Sequence, residues 1–247
     1  SCGIGPVALG HLSDWVREAT GAVDAVVLSG NLLLGNRDVQ SREEYDQHGD
    51  TMPCDYGGFN SFCEALKPTS IKHLDLSECR LDASATSSLA DAIKLMGAVN
   101  EIVLDSNSIF GRTWGNKSHK CGGEEGEDDA AHAIFDALAS SSVQTLSLGH
   151  TAMGPKASAK LAATLRLTKV TSLTISDNPI GDDAMVELLE GLKDVGLTSL
   201  SISNAGVGVS SAGKLAELLS ALSSATKVSG AINLLTLDST GNMRDQK

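Results

Sequence analysis

The stretch Val170-Thr171-Ser172-Leu173-Thr174-Ile175-Ser176-Asp177-Asn178-Pro179-Ile180-Gly181-Asp182-Asp183-Ala184, followed by Leu188 and Leu189, decides the fold. Leu173 and Ile175 alternate with polar residues, so they read as a short strand with two aliphatics turned inward. Asn178-Pro179 and Gly181 stop the strand and turn the chain. Ala184, Leu188 and Leu192 then recur every fourth residue, which places them on one buried helical face.

The same pattern, an aliphatic at positions one, four, six and eleven with a small or polar residue at nine, recurs seven times, the last copy ending in Asn242 instead of an aliphatic. The copies begin at Val23, Ile71, Val99, Val143, Val170, Leu197 and Ile232. Position nine is Asn31, Cys79, Asn107, Thr151, Asn178, Ala205 and Thr240. A polar side chain there would satisfy backbone groups where a buried strand bends away, and Ala205, which cannot, predicts a looser turn. Helical rows follow the strands: Gly58, Phe62 and Leu66; Ala85, Leu89 and Ile93; Ala130, Ile134 and Leu138; Ala157, Leu161 and Leu165; Ser211, Leu215 and Leu219. Only 3% of the residues are aromatic, which suits a thin, layered aliphatic core. Residues 6–19, with Leu9, Leu12, Trp15 and Val16, read as a helix covering the first repeat, within an N-terminal cap at 1–22.

With seven in-phase strand–turn–helix units of about 27 residues, the chain resembles the ribonuclease-inhibitor-like branch of leucine-rich repeats. The match is clearest in Asn178-Pro179-Ile180-Gly181-Asp182-Asp183-Ala184 and Leu188-Leu189. The resemblance implies an α/β fold, a right-handed leucine-rich-repeat solenoid over residues 23–247, with a parallel β-sheet on the concave face and helices on the convex face. It also implies a binder rather than an enzyme. No cover is visible for the last repeat, so that edge either continues into further chain or meets a neighbouring chain.

Two insertions interrupt the array between strand-side turn and helix, at about 34–57 and 110–129, two repeats apart on the same edge. They carry Arg37, Arg42, Tyr45, Cys54 and Tyr56, and Arg112, Trp114 and Cys121. Tyr, Trp and Arg anchor interfaces, and long loops in compact domains carry function more often than they carry structure. Two readings stand: a lateral binding lobe, or a covering for the edge of the sheet.

On the concave face, the later repeats present Ser and Thr, a weak recognition surface. Repeats two and three present Asp75, Glu78, Glu101 and Asp105, an acidic patch that could receive a basic segment or a cation. The expected function is therefore a non-catalytic protein–protein interaction module, or a subunit of a larger assembly, binding through the insertions and the N-terminal concave face. The alternative is a GTPase-activating regulator of the leucine-rich-repeat type, with Arg37, Arg42 or Arg112 reaching the GTPase.

The rest of the sequence narrows this further. A net charge of −12 argues against nucleic acid, which needs clustered Lys and Arg. No run of about 20 apolar residues predicts membrane insertion. Five cysteines without a paired motif argue against a disulfide framework or zinc site, and no cofactor or metal is expected. No motif fixes the compartment, the default being cytoplasmic. Gly208-Val209-Ser210-Ser211-Ala212-Gly213-Lys214-Leu215 imitates a phosphate-binding loop, but Leu215 stands where a magnesium-binding hydroxyl belongs. Glu124-Glu125-Gly126-Glu127-Asp128-Asp129 lacks the ligand spacing of a calcium loop, and Asn116-Lys117-Ser118 is a glycosylation sequon that matters only in a secreted protein. His73 beside Asp75 is the one histidine constellation to inspect.

Overall fold

The computed structural model describes residues 2–19, 23–35, 54–111, 126–224 and 234–237. Within them, strands and helices alternate in the expected order. The strands are β1 (Ala25–Val27), β2 (His73–Asp75), β3 (Glu101–Val103), β4 (Thr145–Ser147), β5 (Ser172–Thr174), β6 (Ser199–Ser201) and β7 (Leu234–Thr236). The helices are α1 (Pro6–Glu18), α2 (Gly57–Leu66), α3 (Ala83–Ile93), α4 (Gly126–Ala139), α5 (Pro155–Leu165), α6 (Asp182–Gly191) and α7 (Val209–Ser224). The strands form one parallel sheet in chain order, and Val26, Leu74, Ile102, Leu146, Leu173, Leu200 and Leu235 stand in one register row. The α/β solenoid expected from the repeat is what the chain forms.

Each strand is three residues long, yet the ladder runs further. The N–H of position six donates to the position-five carbonyl of the next strand, as Leu76 does to Val103 and Ile175 to Ser201, both at 2.9 Å. Position eight continues it, Glu78 donating to Asp105 and Asp177 to Ser203 at 2.8 Å. To keep that bond while bending away, position eight adopts a left-handed backbone: Glu78, Ser106, His150, Asp177 and Asn204 have φ between 49° and 58°.

Position nine completes the bend with side chains. Asn107 accepts from the N–H groups of Cys79 and Leu81 in the preceding repeat and donates to the carbonyls of Leu76, Leu104 and Asp105. Asn178 does the same for Thr151, Met153, Leu148, Ile175 and Ser176. Between these asparagines, Cys79 and Thr151 use one short donor each, to Leu28 and Leu148 at 3.2 and 2.8 Å. Ala205 offers no side-chain acceptor to the preceding repeat. The N–H of Ile180 finds the carbonyl of Asn178 instead (2.9 Å), as Leu33 finds Asn31 beside Cys79 (3.1 Å).

The core is aliphatic along its whole length, with Phe59, Phe62, Phe110 and Phe135 as its largest members. Phe59 and Phe110, at the roots of the two insertions, are therefore packing residues, and Phe110 stacks on Phe135 at 5.6 Å. Two positions depart from the helical rows read in the sequence. Trp15 lies outside, 52% exposed, with Leu9 and Val16 facing the core instead. In α7 the buried row runs Ser211, Leu215 and Leu218, leaving Leu219 at the surface.

Candidate functional site

The concave face is built by register. One row reads Ala25, His73, Glu101, Thr145, Ser172, Ser199 and Leu234, and the next reads Val27, Asp75, Val103, Ser147, Thr174, Ser201 and Thr236. In parallel neighbours such side chains stand beside one another, so adjacent polar groups pair. His73 Nδ1 lies 2.9 Å from Glu101 Oε2. Asp75 accepts from the N–H and hydroxyl of Ser77. Asp105 accepts from the Ser147 hydroxyl at 2.7 Å and the Gly149 N–H at 2.7 Å. The structure thus brings Asp75, Glu78, Glu101 and Asp105 together on β2, β3 and their turns, with three of the four engaged inside the chain. Glu78 is exposed at the rim. Val27, 57% exposed, adds an apolar element that the acidic reading passed over.

The later repeats behave differently. Ser176 and Ser201 share a hydrogen bond of 2.8 Å, and Ser176 also accepts from the N–H of Ser203. The hydroxyls of this pair bind each other across strands, which lowers their availability to a partner.

At the root of the first insertion, the N–H of Asp55 donates to the carbonyl of Leu34 at 2.8 Å. The chain therefore leaves and re-enters the repeat at one point. Tyr56 is half-buried, and its hydroxyl donates to Asp82 Oδ2 at 2.6 Å. Asp82 uses its other oxygen to cap α3, accepting from the N–H of Ala85 at 2.9 Å, the usual role of Asp at this position. Tyr56 thus ties the insertion root to the next repeat. Arg37, Arg42, Tyr45, Arg112 and Trp114 lie outside the described residues. Cys54 is disulfide-bonded, whereas Cys2, Cys63 and Cys79 carry free thiols. A single bond at Cys54 is compatible with the reading against a disulfide framework, and the odd count of five leaves room for it.

Burial, then the hydrogen bond and the charge of Asp82, push the Tyr56 phenol up to about 12. An unfolded tyrosine ionises near pH 10, so between about pH 10 and 12 the unfolded chain loses this proton first. Stability from this group is complete below pH 10 and falls as the pH climbs toward 12. Urea unfolding of wild type and Tyr56→Phe across pH 8–12 measures it: the wild-type slope above pH 10 should exceed that of the variant. Parallel slopes would show that Tyr56 is not coupled to folding.

The phosphate-loop imitation is closed by the chain itself. Asp182, at the start of α6, accepts from the N–H groups of Gly208, Ser210 and Ser211 and from the Ser211 hydroxyl. Those bonds hold its carboxyl well below the usual carboxylate range and fill the anion position at the start of α7. Lys214 turns to Glu190 and to Glu217 instead. Among the described residues no group of three or more His, Cys, Asp or Glu could hold a metal ion, and no helix is long and apolar enough to cross a membrane.

Parallel strands in chain order, left-handed turns at position eight and bonded asparagines at Asn31, Asn107 and Asn178 make the fold a leucine-rich-repeat solenoid. The Leucine Rich repeat family model matches residues 166–189, which hold β5 and most of α6. No curated protein matches the chain. Among solved structures, the actin-binding site 2 of leiomodin-1 is similar at a TM-score of 0.42 and 17% identity, over 85% of this chain and 87% of that one. The tropomodulin C-terminal domain of Caenorhabditis elegans is similar at 0.43 and 11%, over 86% and 92%.

Proposed function

We propose that this chain is a non-catalytic protein-interaction module of the ribonuclease-inhibitor-like branch, which holds a partner on the concave face of repeats one to three and on the neighbouring insertions. The observation that carries this reading is the unequal concave face. Acidic side chains gather at the N-terminal end, exposed Glu78 and half-buried Glu101, beside exposed Val27. At the hydroxyl-lined end, Ser176 is already bonded to Ser201 and to the N–H of Ser203. The chain's net charge of −12 favours a partner segment that is basic where it meets Glu78 and Glu101, since opposite potentials speed encounter and fix register.

Pull-down from the native source with three proteins tests it: wild type, Glu78→Lys with Glu101→Lys, and Ser199→Lys with Ser201→Lys. Partner recovery should fall about tenfold or more with the first pair, the effect expected of charge reversal at an interface, and stay near wild type with the second. Equal losses in both, or none in the first, would remove the N-terminal face from the interface. A fourth protein, with residues 36–53 replaced by a two-residue link across the Leu34–Asp55 closure, reads the contribution of the first insertion separately.

A further inference from the structure

The concave face of the first three repeats is a grid set by strand register. His73 stands between Ala25 and Glu101 in one row, and Asp75 stands between Val27 and Val103 in the next. His73 Nδ1 lies 2.9 Å from Glu101 Oε2, with 30% and 41% of the two side chains open to solvent. Protons from water therefore reach the imidazole, and a charge formed there meets Glu101 at once.

Among the described residues, the charges around His73 are few. β1 places uncharged Ala25 beside it, and Asp24, next along that strand, is paired with Lys72 at 2.8 Å. β2 itself contributes Lys72 and, two residues beyond His73, Asp75, whose Oδ1 accepts from the N–H and hydroxyl of Ser77. β3 contributes Glu101. Glu78 and Asp105 lie further along, towards the turns, and Asp105 is bonded to Ser147 and Gly149. Of the residue types in this set, only histidine ordinarily changes its charge between about pH 5 and 8.

We propose that His73 is a proton-operated control on this face: neutral, it leaves Glu101 to a basic partner segment, and protonated, it engages Glu101 and repels that segment. The proposal rests on the reading that the N-terminal concave face holds a basic segment, and it adds how that hold is regulated. The sign follows from charge alone. Between about pH 7.5 and 5.5 histidine passes from mostly neutral to mostly charged. The grid then carries one negative charge fewer, and its attraction for Lys or Arg weakens. Val27 and Val103 are uncharged at either pH, so the apolar part of the contact persists and the segment is loosened at its charged positions.

The probe is the peptide acetyl-Lys-Leu-Lys-Leu-Lys-Leu-amide, whose charge is the same at pH 7.5 and pH 5.5. Its affinity is measured at both pH values and constant ionic strength for wild type, for His73→Gln, and for Glu78→Lys with Glu101→Lys. Glutamine keeps a polar side chain beside Glu101 but cannot take the charge. Every other titrating group is common to wild type and His73→Gln, so their difference isolates His73. Wild type should bind about threefold or more weakly at pH 5.5, the effect of one charge at roughly 5–8 Å near a protein surface. His73→Gln should lose less than half as much. An equal loss in both proteins, no loss in wild type, or no binding to wild type at pH 7.5 would overturn the proposal. If the peptide binds but the pH responses are equal, the double lysine variant separates the two ideas. Binding about tenfold or more weakly at pH 7.5 leaves the N-terminal face standing without its control, and binding as wild type removes the face as well.

Discussion

Asn178→Ala should lower the free energy of unfolding by about 3–5 kcal/mol, because it strips several buried backbone groups of their partners at once. Asn178 is buried, and its carbonyl oxygen takes N–H groups from Thr151 and Met153 while its amide serves Leu148, Ile175 and Ser176. Alanine leaves these groups buried without the side chain that bonds them. Asn178→Asp should fare no better. It keeps the acceptor but turns a carboxylate toward the carbonyls of Leu148, Ile175 and Ser176. Thr151→Ala, which removes one donor to Leu148 and one contact with Asn178, should cost about 1–2 kcal/mol by the same reasoning. Urea midpoints rank the three variants, and amide exchange at Thr151 and Met153 locates the damage. A loss at Asn178→Ala no larger than at Thr151→Ala would mean that the ladder does not stitch one repeat to the next.

The second large effect lies at the N-terminal end. A Cβ on Gly58 would sit 1.9 Å from the carbonyl oxygen of Pro6, a backbone atom that no rotamer can move. Gly58→Ala must therefore push α1 away from α2 and open the packing of Leu9 and Phe62. A loss of about 3 kcal/mol is expected, the upper end for overpacking. In an open helix interior the same change helps by roughly 0.5–1 kcal/mol. Gly10 in α1 provides that control, since an added Cβ there meets nothing within 4 Å. Opposite signs for Gly58→Ala and Gly10→Ala in urea unfolding are the expected result. The same sign would show that α1 is loosely seated. Gly58 thus makes room for the start of the preceding helix.

Much of the concave face was open to reading in the residues alone. Positions three and five of each strand are fixed by a period of two, so Asp75, Glu101 and Val27 could be placed side by side before any coordinates. Which of them remain available was not. Asp105 reaches the hydroxyl of Ser147 and the N–H of Gly149, 42 and 44 residues away in sequence, and no local pattern announces such a bond. Tyr56 looked like an interface anchor because its type is common at interfaces. Its bond to Asp82, 26 residues on, gives it a part in capping α3.

Aliphatic spacing alone determined the solenoid, its seven strands and their order, because a side chain repeated in phase can be buried only by stacking on its own copies. It likewise marked position nine, where a strand buried on one face has to bend. Tertiary structure decided what two strands share: which carboxylates are already bonded, and that Asp182 fills the false phosphate loop. Those outcomes depend on atoms brought together from about one repeat apart or more, and hydrogen bonds, being short and directional, are settled only when the chain has closed.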